Sequence, residues 1–293
     1  MKPTSHAPDT TTRDRNGRSL LETAKSFLFV PGDRPERFPK AMRCDADVVI
    51  IDWEASVTPA NKQSARENTI AFLNGVDDCK VAIRVNPFDG RDFADDALAL
   101  REIRERIAGV FLTMVDSGAQ LVAAADALPT DLPLVAMIET ARGILHVEEI
   151  TTSNRICRLA FGNMDFQTEL ELPPEENVGL IYPSSRMIVA SRAAGLPAPV
   201  SGVTENIADL EVFERSARLE RNLGFLGKLC VHPTQLALTN VIFAPSVEEV
   251  EWAKRVIAAT RNSHAVMLDG RMIDRPVIDR AKNILSRLGT ASI

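Results

Sequence analysis

The sequence predicts an α/β protein built as a (β/α)8 TIM barrel with a helical extension at its C-terminal end. Three observations carry the prediction. Eight short β-rich runs alternate with eight helical patterns between residues 26 and 241. The runs are apolar almost throughout and turn polar only at their C-terminal ends, as buried parallel strands do when a site lies at one mouth. A doubly wound open sheet shares the alternation, but the loop after the first run, VPGDRPER, has no glycine-rich dinucleotide fingerprint.

In chain order, residues 1–24 read as a loosely ordered arm, rich in Thr, Arg and Asp and without the apolar stretch of a secretory signal. The strands are SFLFVPG (26–32), DVVIIDWE (47–54), KVAIRVN (80–86), GVFLTMV (109–115), PLVAMIET (133–140), ICRLAFGNMD (156–165), a weak PAPVSGV (197–203) and GKLCVHP (227–233). Helical patterns fall at 35–43, 59–73, 94–107, 117–127, 142–151, 184–194, 206–223 and 234–241. Thr58 before Pro59 suits a helix start, Ser246 with Glu249 makes a capping box for a further helix, and Gly195 and Gly224 stand where helices stop. This gives a catalytic barrel over 25–245 and an extension over 246–293. The extension is too short to be an independent domain and is expected to pack on the barrel or on a neighbouring subunit.

Composition narrows the function. A net charge of −6 with 25% charged residues fits a soluble globular chain and argues against a nucleic-acid-binding surface. No apolar run reaches the length of a membrane span. Cys44, Cys79, Cys157 and Cys230 stand far apart with no CxxC pair, which reads as reduced thiols of a cytoplasmic protein.

The polar strand ends supply the candidate chemistry. In order they are Asp52 and Glu54, Arg84 and Asn86, Glu139 and Thr140, Asp165, and His232. In a barrel these converge on one mouth. Glu139 and Asp165 end runs that are neighbours in chain order, so their carboxylates can meet. Two oxygen ligands plus water suit Mg²⁺; each acid alone could equally be a helix cap. Arg84 can grip a carboxylate or carbonyl oxygen, and can pair with Asp52 or Glu54 as well. His232, before a proline, reads as hydrogen-bonded support. Arg34, Arg37 and Lys40 follow the first strand, where a helix start could receive a phosphate or simply present a solvated face. No Ser–His–Asp or Cys–His arrangement is identifiable, and no lysine ends a predicted strand, which weakens a Schiff-base aldolase.

These residues resemble the citrate lyase beta-subunit family, which includes malyl-CoA and citramalyl-CoA lyases and sits beside the heptenedioate-type aldolases. The resemblance runs from about residue 26 to 288 and rests on LFVPGDRPERFPKA, ADVVIIDWEASVTPANKQSAR, RVN, IET, FGNMD, GKLCVHPTQ and GRMIDRP in the expected order. It implies a barrel that assembles as a homotrimer or hexamer. It further implies Mg²⁺, with Mn²⁺ as a substitute, held by Glu139 and Asp165. Arg84, together with Glu139, matches the grip on the keto-acid portion, and Asp274 matches an aspartate that reaches a neighbouring subunit's site as acid or base. Pro31, Arg37 and Lys40 match positions on the CoA side. The implied reaction is reversible Claisen-type cleavage of a malyl-, citramalyl- or citryl-CoA thioester to a keto acid and a shorter acyl-CoA. Asp52 is expected to pair with Arg84, and Glu54 to act in positioning. The alternatives are a metal-dependent aldolase on a free 2-keto acid and a non-catalytic CoA-ester-binding paralogue. The chain departs from the family pattern at Trp53, Ala55, Thr113, Met114 and Ser201, which raises the question whether Trp53 and Met114 narrow the pocket.

Overall fold

The computed structural model describes residues 19–76, 80–173, 178–260 and 266–288. The chain divides into two compact units, one running to Thr239 and one from Asn240 onward.

In the first unit the apolar runs become parallel strands: β1 (Ser26–Pro31), β2 (Val48–Asp52), β3 (Val81–Val85), β4 (Gly109–Leu112), β5 (Leu134–Ile138), β6 (Arg158–Phe161) and β7 (Lys228–Cys230). They form one sheet in the order β6-β5-β4-β3-β2-β1-β7. The weak run 197–203 forms no strand of its own, yet it closes the barrel. Val200 bridges Ala160 of β6, and Ser201 bridges Lys228 of β7. Backbone bonds sew this seam, including Phe161 N–H to Val200 O at 3.0 Å and Ser201 N–H to Gly227 O at 2.8 Å.

Side-chain alternation then fills the interior. Phe27, Val48, Ile50, Ala82, Phe111, Val135, Met137, Ala160, Val200 and Leu229 form one buried cluster, with a contribution from every strand and from the closing segment. Outside lie α3 (Lys62–Leu73), α4 (Phe93–Ile103), α5 (Gly118–Ala127), α9 (Val178–Ala193) and α10 (Leu210–Leu223), with shorter pieces between them. Gly195 and Gly224 end their helices at φ of 74° and 122°, the left-handed backbone that favours glycine. α9 starts earlier than the 184–194 pattern, and Pro183 lies inside it.

Two expectations are corrected. Residues 1–18 lie outside the described residues, but the end of the expected loose arm is ordered: Leu20–Thr23 form a short helix, α1. Leu21 is fully buried in the barrel cluster, worth about 2 kcal/mol of hydrophobic burial. Buried Arg158 donates from Nη1 to the Leu21 and Ala24 carbonyls at 3.1 and 2.7 Å. The polar stretch before Leu20 masks this helix in the sequence. Secondly, the run 156–165 is not one strand. It breaks at Gly162, and Asn163–Glu169 form a helix, α8, so Asp165 stands in a first helical turn rather than at a strand end. No charge precedes Asp165 in AFGNMD, which hides the break.

The second unit holds α12 (Val247–Ala259), a hairpin of β8 (Val266–Leu268) and β9 (Arg271–Ile273), and α13 (Arg275–Ser286). The capping box is present, with Ser246 Oγ accepting from Glu249 N and Glu249 Oε2 from Ser246 N. Ala253, Val256, Ile273, Ala281 and Ile284 make its core. Among the described residues no helix is long and apolar enough to cross a membrane. Cys44, Cys157 and Cys230 are free thiols, and Cys79 lies outside the described residues.

Candidate active site

Strand parity decides which side chains reach the mouth. Val48 and Ile50 point into the barrel, so Asp52 does too; the same step carries Ala82 to Arg84 and Val135 and Met137 to Glu139. Asp52 and Arg84 are register partners on neighbouring strands. Arg84 Nε and Nη2 grip both Asp52 oxygens at 2.7 and 2.6 Å, a two-pronged ion pair that fixes the guanidinium plane. Glu54 Oε2 stands 3.4 Å from Nη1, and the Phe29 ring lies 4.5 Å beneath the guanidinium carbon. Asp52 also accepts from Glu54 N and from Ser56 N at 2.8 Å each, and from Ser56 Oγ.

Burial alone would raise the Asp52 carboxyl, but the Arg84 charge and hydrogen bonds outweigh it and hold the group below its ordinary range. Burial also opposes the Arg84 charge, and Asp52 overcomes it, so the guanidinium binds its proton more tightly than usual. Glu54 moves the other way: burial pushes its carboxyl up, tempered by Arg84.

Glu139 follows β5, and burial pushes its carboxyl up to about 7, against the Met114 N–H and Arg84, with Asp165 and Glu54 adding repulsion. Met114 N donates to Glu139 Oε2 at 2.6 Å from a backbone at φ 53°. Gly162 leaves room for this carboxylate, since a Cβ there would lie 2.3 Å from Glu139 Oε1. Asp165, exposed in the first turn of α8, adds repulsion to the Glu139 carboxyl that burial already raises. Two repelling carboxylates, one driven towards its neutral form, are a donor set that a hard divalent cation would satisfy. Among the described residues no group of three His, Cys, Asp or Glu side chains forms a closed metal cage. A cation here would keep open positions.

The backbone behind these acids is held by residues that strand-end reading underrates. Lys62, nearly buried on α3, donates to the Trp53 and Glu54 carbonyls at 2.8 and 2.7 Å. Asn86 Nδ2 reaches the Trp53 carbonyl at 3.1 Å and Asp96 Oδ2 at 2.7 Å. Asp96 in turn pairs with Arg66 Nη1 at 2.7 Å. Trp53 has the opposite parity to Asp52. It is fully buried against the helix layer, donates to Thr69 Oγ1 at 2.9 Å, and does not narrow the mouth. Gly32 makes room for it, because a Cβ there would stand 2.9 Å from the indole.

The remaining candidates are more dispersed. Pro31 ends β1 opposite Asp52 in register. Arg37 closes a short turn beside Glu36, and Lys40 lies on α2 (Phe38–Met42); both are exposed. His232 is held by Thr234 Oγ1 at 2.9 Å beyond β7, a supporting contact. Asp274 belongs to the second unit, where its side chain caps α13 by accepting from Val277 N. Of the residues missed, Gly162 had a visible signal in FGN, whereas the Met114 N–H left none.

A family model described as HpcH/HpaI aldolase/citrate lyase matches residues 25–233. A citrate lyase subunit beta-like protein of Mycobacterium tuberculosis is 32% identical over 281 residues, covering 94% of this chain and 99% of that protein. An L-malyl-CoA/beta-methylmalyl-CoA lyase of Cereibacter sphaeroides is 32% identical over 298 residues, covering 88% and 92%. Among solved structures, CitE from Mycobacterium tuberculosis in complex with magnesium, acetoacetate and coenzyme A superposes with a TM-score of 0.76 at 30% identity, covering 92% of this chain and 100% of that one.

Proposed function

This chain belongs to the HpcH/HpaI aldolase/citrate lyase family, and on that premise we propose that it is a Mg²⁺-dependent carbon–carbon lyase. Its proposed substrate is a malyl-, citramalyl- or citryl-type CoA thioester, cleaved to a keto acid and a shorter acyl-CoA. One observation supports this above the others: Arg84 is rigidly held by Asp52 at the barrel mouth, and Glu139 at the same strand ends is raised by burial, with Asp165 adding repulsion.

Glu139 and Asp165 would hold Mg²⁺ or Mn²⁺, which supplies Lewis-acid polarisation of the substrate oxygens. Arg84, with its plane fixed by Asp52 and its Nη1 beside Glu54, is the proposed grip on the keto-acid oxygens, where charge develops during cleavage. A base takes the proton of the substrate hydroxyl, the oxygen's electrons form the carbonyl of the keto acid, and the carbon–carbon bond breaks with its electron pair passing to the thioester enolate. Among the acids beside Arg84, Asp52 is committed to the ion pair, whereas Glu54 takes a proton more readily than an ordinary glutamate. Asp274, reaching in from a neighbouring subunit, is the proposed donor or acceptor of the proton at the enolate carbon. Pro31, Arg37 and Lys40 are proposed on the CoA side.

The proposal includes a homo-oligomer, trimer or hexamer, in the cytoplasm. Supporting the assembly, α9 exposes Val178, Tyr182 and Val189 at 72, 62 and 67%. Calorimetry of a keto acid with Mg²⁺ tests the binding half. Wild type should bind in a metal-dependent way, and Arg84→Lys, which loses the fork, should weaken binding by about tenfold or more. Metal-independent binding, or an unaffected lysine variant, would sink this assignment. Offering thioesters and free 2-keto acid aldol substrates side by side separates a CoA-ester lyase from an aldolase.

A further inference from the structure

Asn163 opens α8 with its side chain turned across the seam that closes the barrel. It is 9% exposed, and its Oδ1 accepts from Val203 N at 2.8 Å while its Nδ2 donates to Val203 O at 3.1 Å. The amide thus pairs both main-chain groups of one residue, as a neighbouring strand would, just beyond the bridges at Val200 and Ser201. The fit is close: a Cβ on Gly202 would stand 1.9 Å from Asn163 Oδ1. A further bond from Nδ2 reaches Gln167 Oε1 at 3.3 Å, one turn along the same helix. Gly162, at the cap position of α8, offers no side chain to fasten the helix start.

The neighbours of Asn163 are the two halves of the carboxylate pair. The residue before it, Gly162, lies against Glu139, and two residues after it stands Asp165. We propose that Asn163 is a positioning residue for the metal site: its clamp on Val203 fixes the first turn of α8, and so where Asp165 stands relative to Glu139. This rests on reading Glu139 and Asp165 as the metal carboxylates. It assigns Asn163 a task beyond closing the seam, because the closing segment and the metal site then move as one piece.

The test is Mn²⁺ binding followed by calorimetry on the metal-free protein, with the thermal midpoint of each variant measured alongside. Asn163→Ala should weaken Mn²⁺ binding by about 10- to 100-fold in protein still folded at the measuring temperature, as loss of a ligand-orienting contact does. Asn163→Ser, too short to reach both Val203 groups, should weaken binding similarly and serves if the alanine variant does not fold. Asp165→Asn should weaken binding at least as much as either. Unchanged affinity in folded Asn163 variants, with only a lower midpoint, overturns the proposal and leaves the metal assignment standing. Unchanged affinity in Asp165→Asn removes the metal assignment itself, and the positioning role with it.

Discussion

Arg84 and Glu139 solve the same physical problem in opposite ways. Each is a charged group carried inward by strand parity at the end of an apolar strand, where an uncompensated charge costs several kcal/mol. Arg84 is compensated within the protein by the two-pronged Asp52 contact. Glu139 has one backbone N–H and two like charges nearby, and its carboxyl rises to about 7. The sign of the consequence follows by linkage. The folded group binds its proton more tightly than the unfolded one, so its stabilising effect is present at low pH and is lost as pH climbs from about 4.5 to 7. Glu54 and Asp96, also raised chiefly by burial, act in the same direction. The metal-free protein should therefore have a higher thermal midpoint at pH 5.5 than at pH 8, with Mg²⁺ restoring it at pH 8. In Glu139→Gln the pH dependence should flatten and the Mg²⁺ response disappear. A wild-type midpoint that rises with pH would contradict the assignment. At this scale the site was largely legible, because parity alone turns VVIID, AIR and AMIE inward. The same alternation answers the question raised by Trp53, since it turns the indole to the helices and away from the pocket.

The elements that matter most are the ones with the weakest sequence signals. The closing segment has only Val200 and Ser201 in bridges, and its sequence PAPVSGV has none of the long apolar character of β2 or β5. Side chains reinforce the backbone bonds of this seam. Lys228, fully buried on β7, donates to Gly202 O at 2.8 Å and to both Glu220 oxygens at 2.9 and 2.7 Å. Ser201 Oγ joins the same carboxylate at 2.7 Å. Glu220→Ala would leave a buried ammonium without its counter-charge and should cost about 3–5 kcal/mol, read from urea unfolding. A loss under about 1 kcal/mol would mean that the seam is held by its backbone bonds alone. The apolar strands of the barrel were readable from their runs. α8 was not, because no charge between Arg158 and Asp165 marks the break at Gly162. Asp165 was thus set at a strand end and stands instead in the first turn of a helix.

For the whole molecule, fold class was readable because eight repeats of one pattern leave few architectures, whereas closure was not, since periodicity is identical in an open sheet. The second unit reads less well. Its loop HAVMLDGRMIDRP contains a hairpin turning at Asp269 and Gly270, both at positive φ. Asp274→Ala should depress turnover far more than keto-acid binding if this residue moves a proton, while equal loss of both would reduce it to the cap of α13. The central claim, that the Glu139–Asp165 pair and Arg84 make a metal-dependent lyase, meets its most direct test in one product assay. Keto-acid release is followed from malyl-, citramalyl- and citryl-CoA, with Mg²⁺ and with a chelator, in wild type and in Asp165→Asn. Release from at least one thioester that requires both Mg²⁺ and Asp165 is the predicted result. No release from any of the three, or release that survives the chelator, would contradict the account.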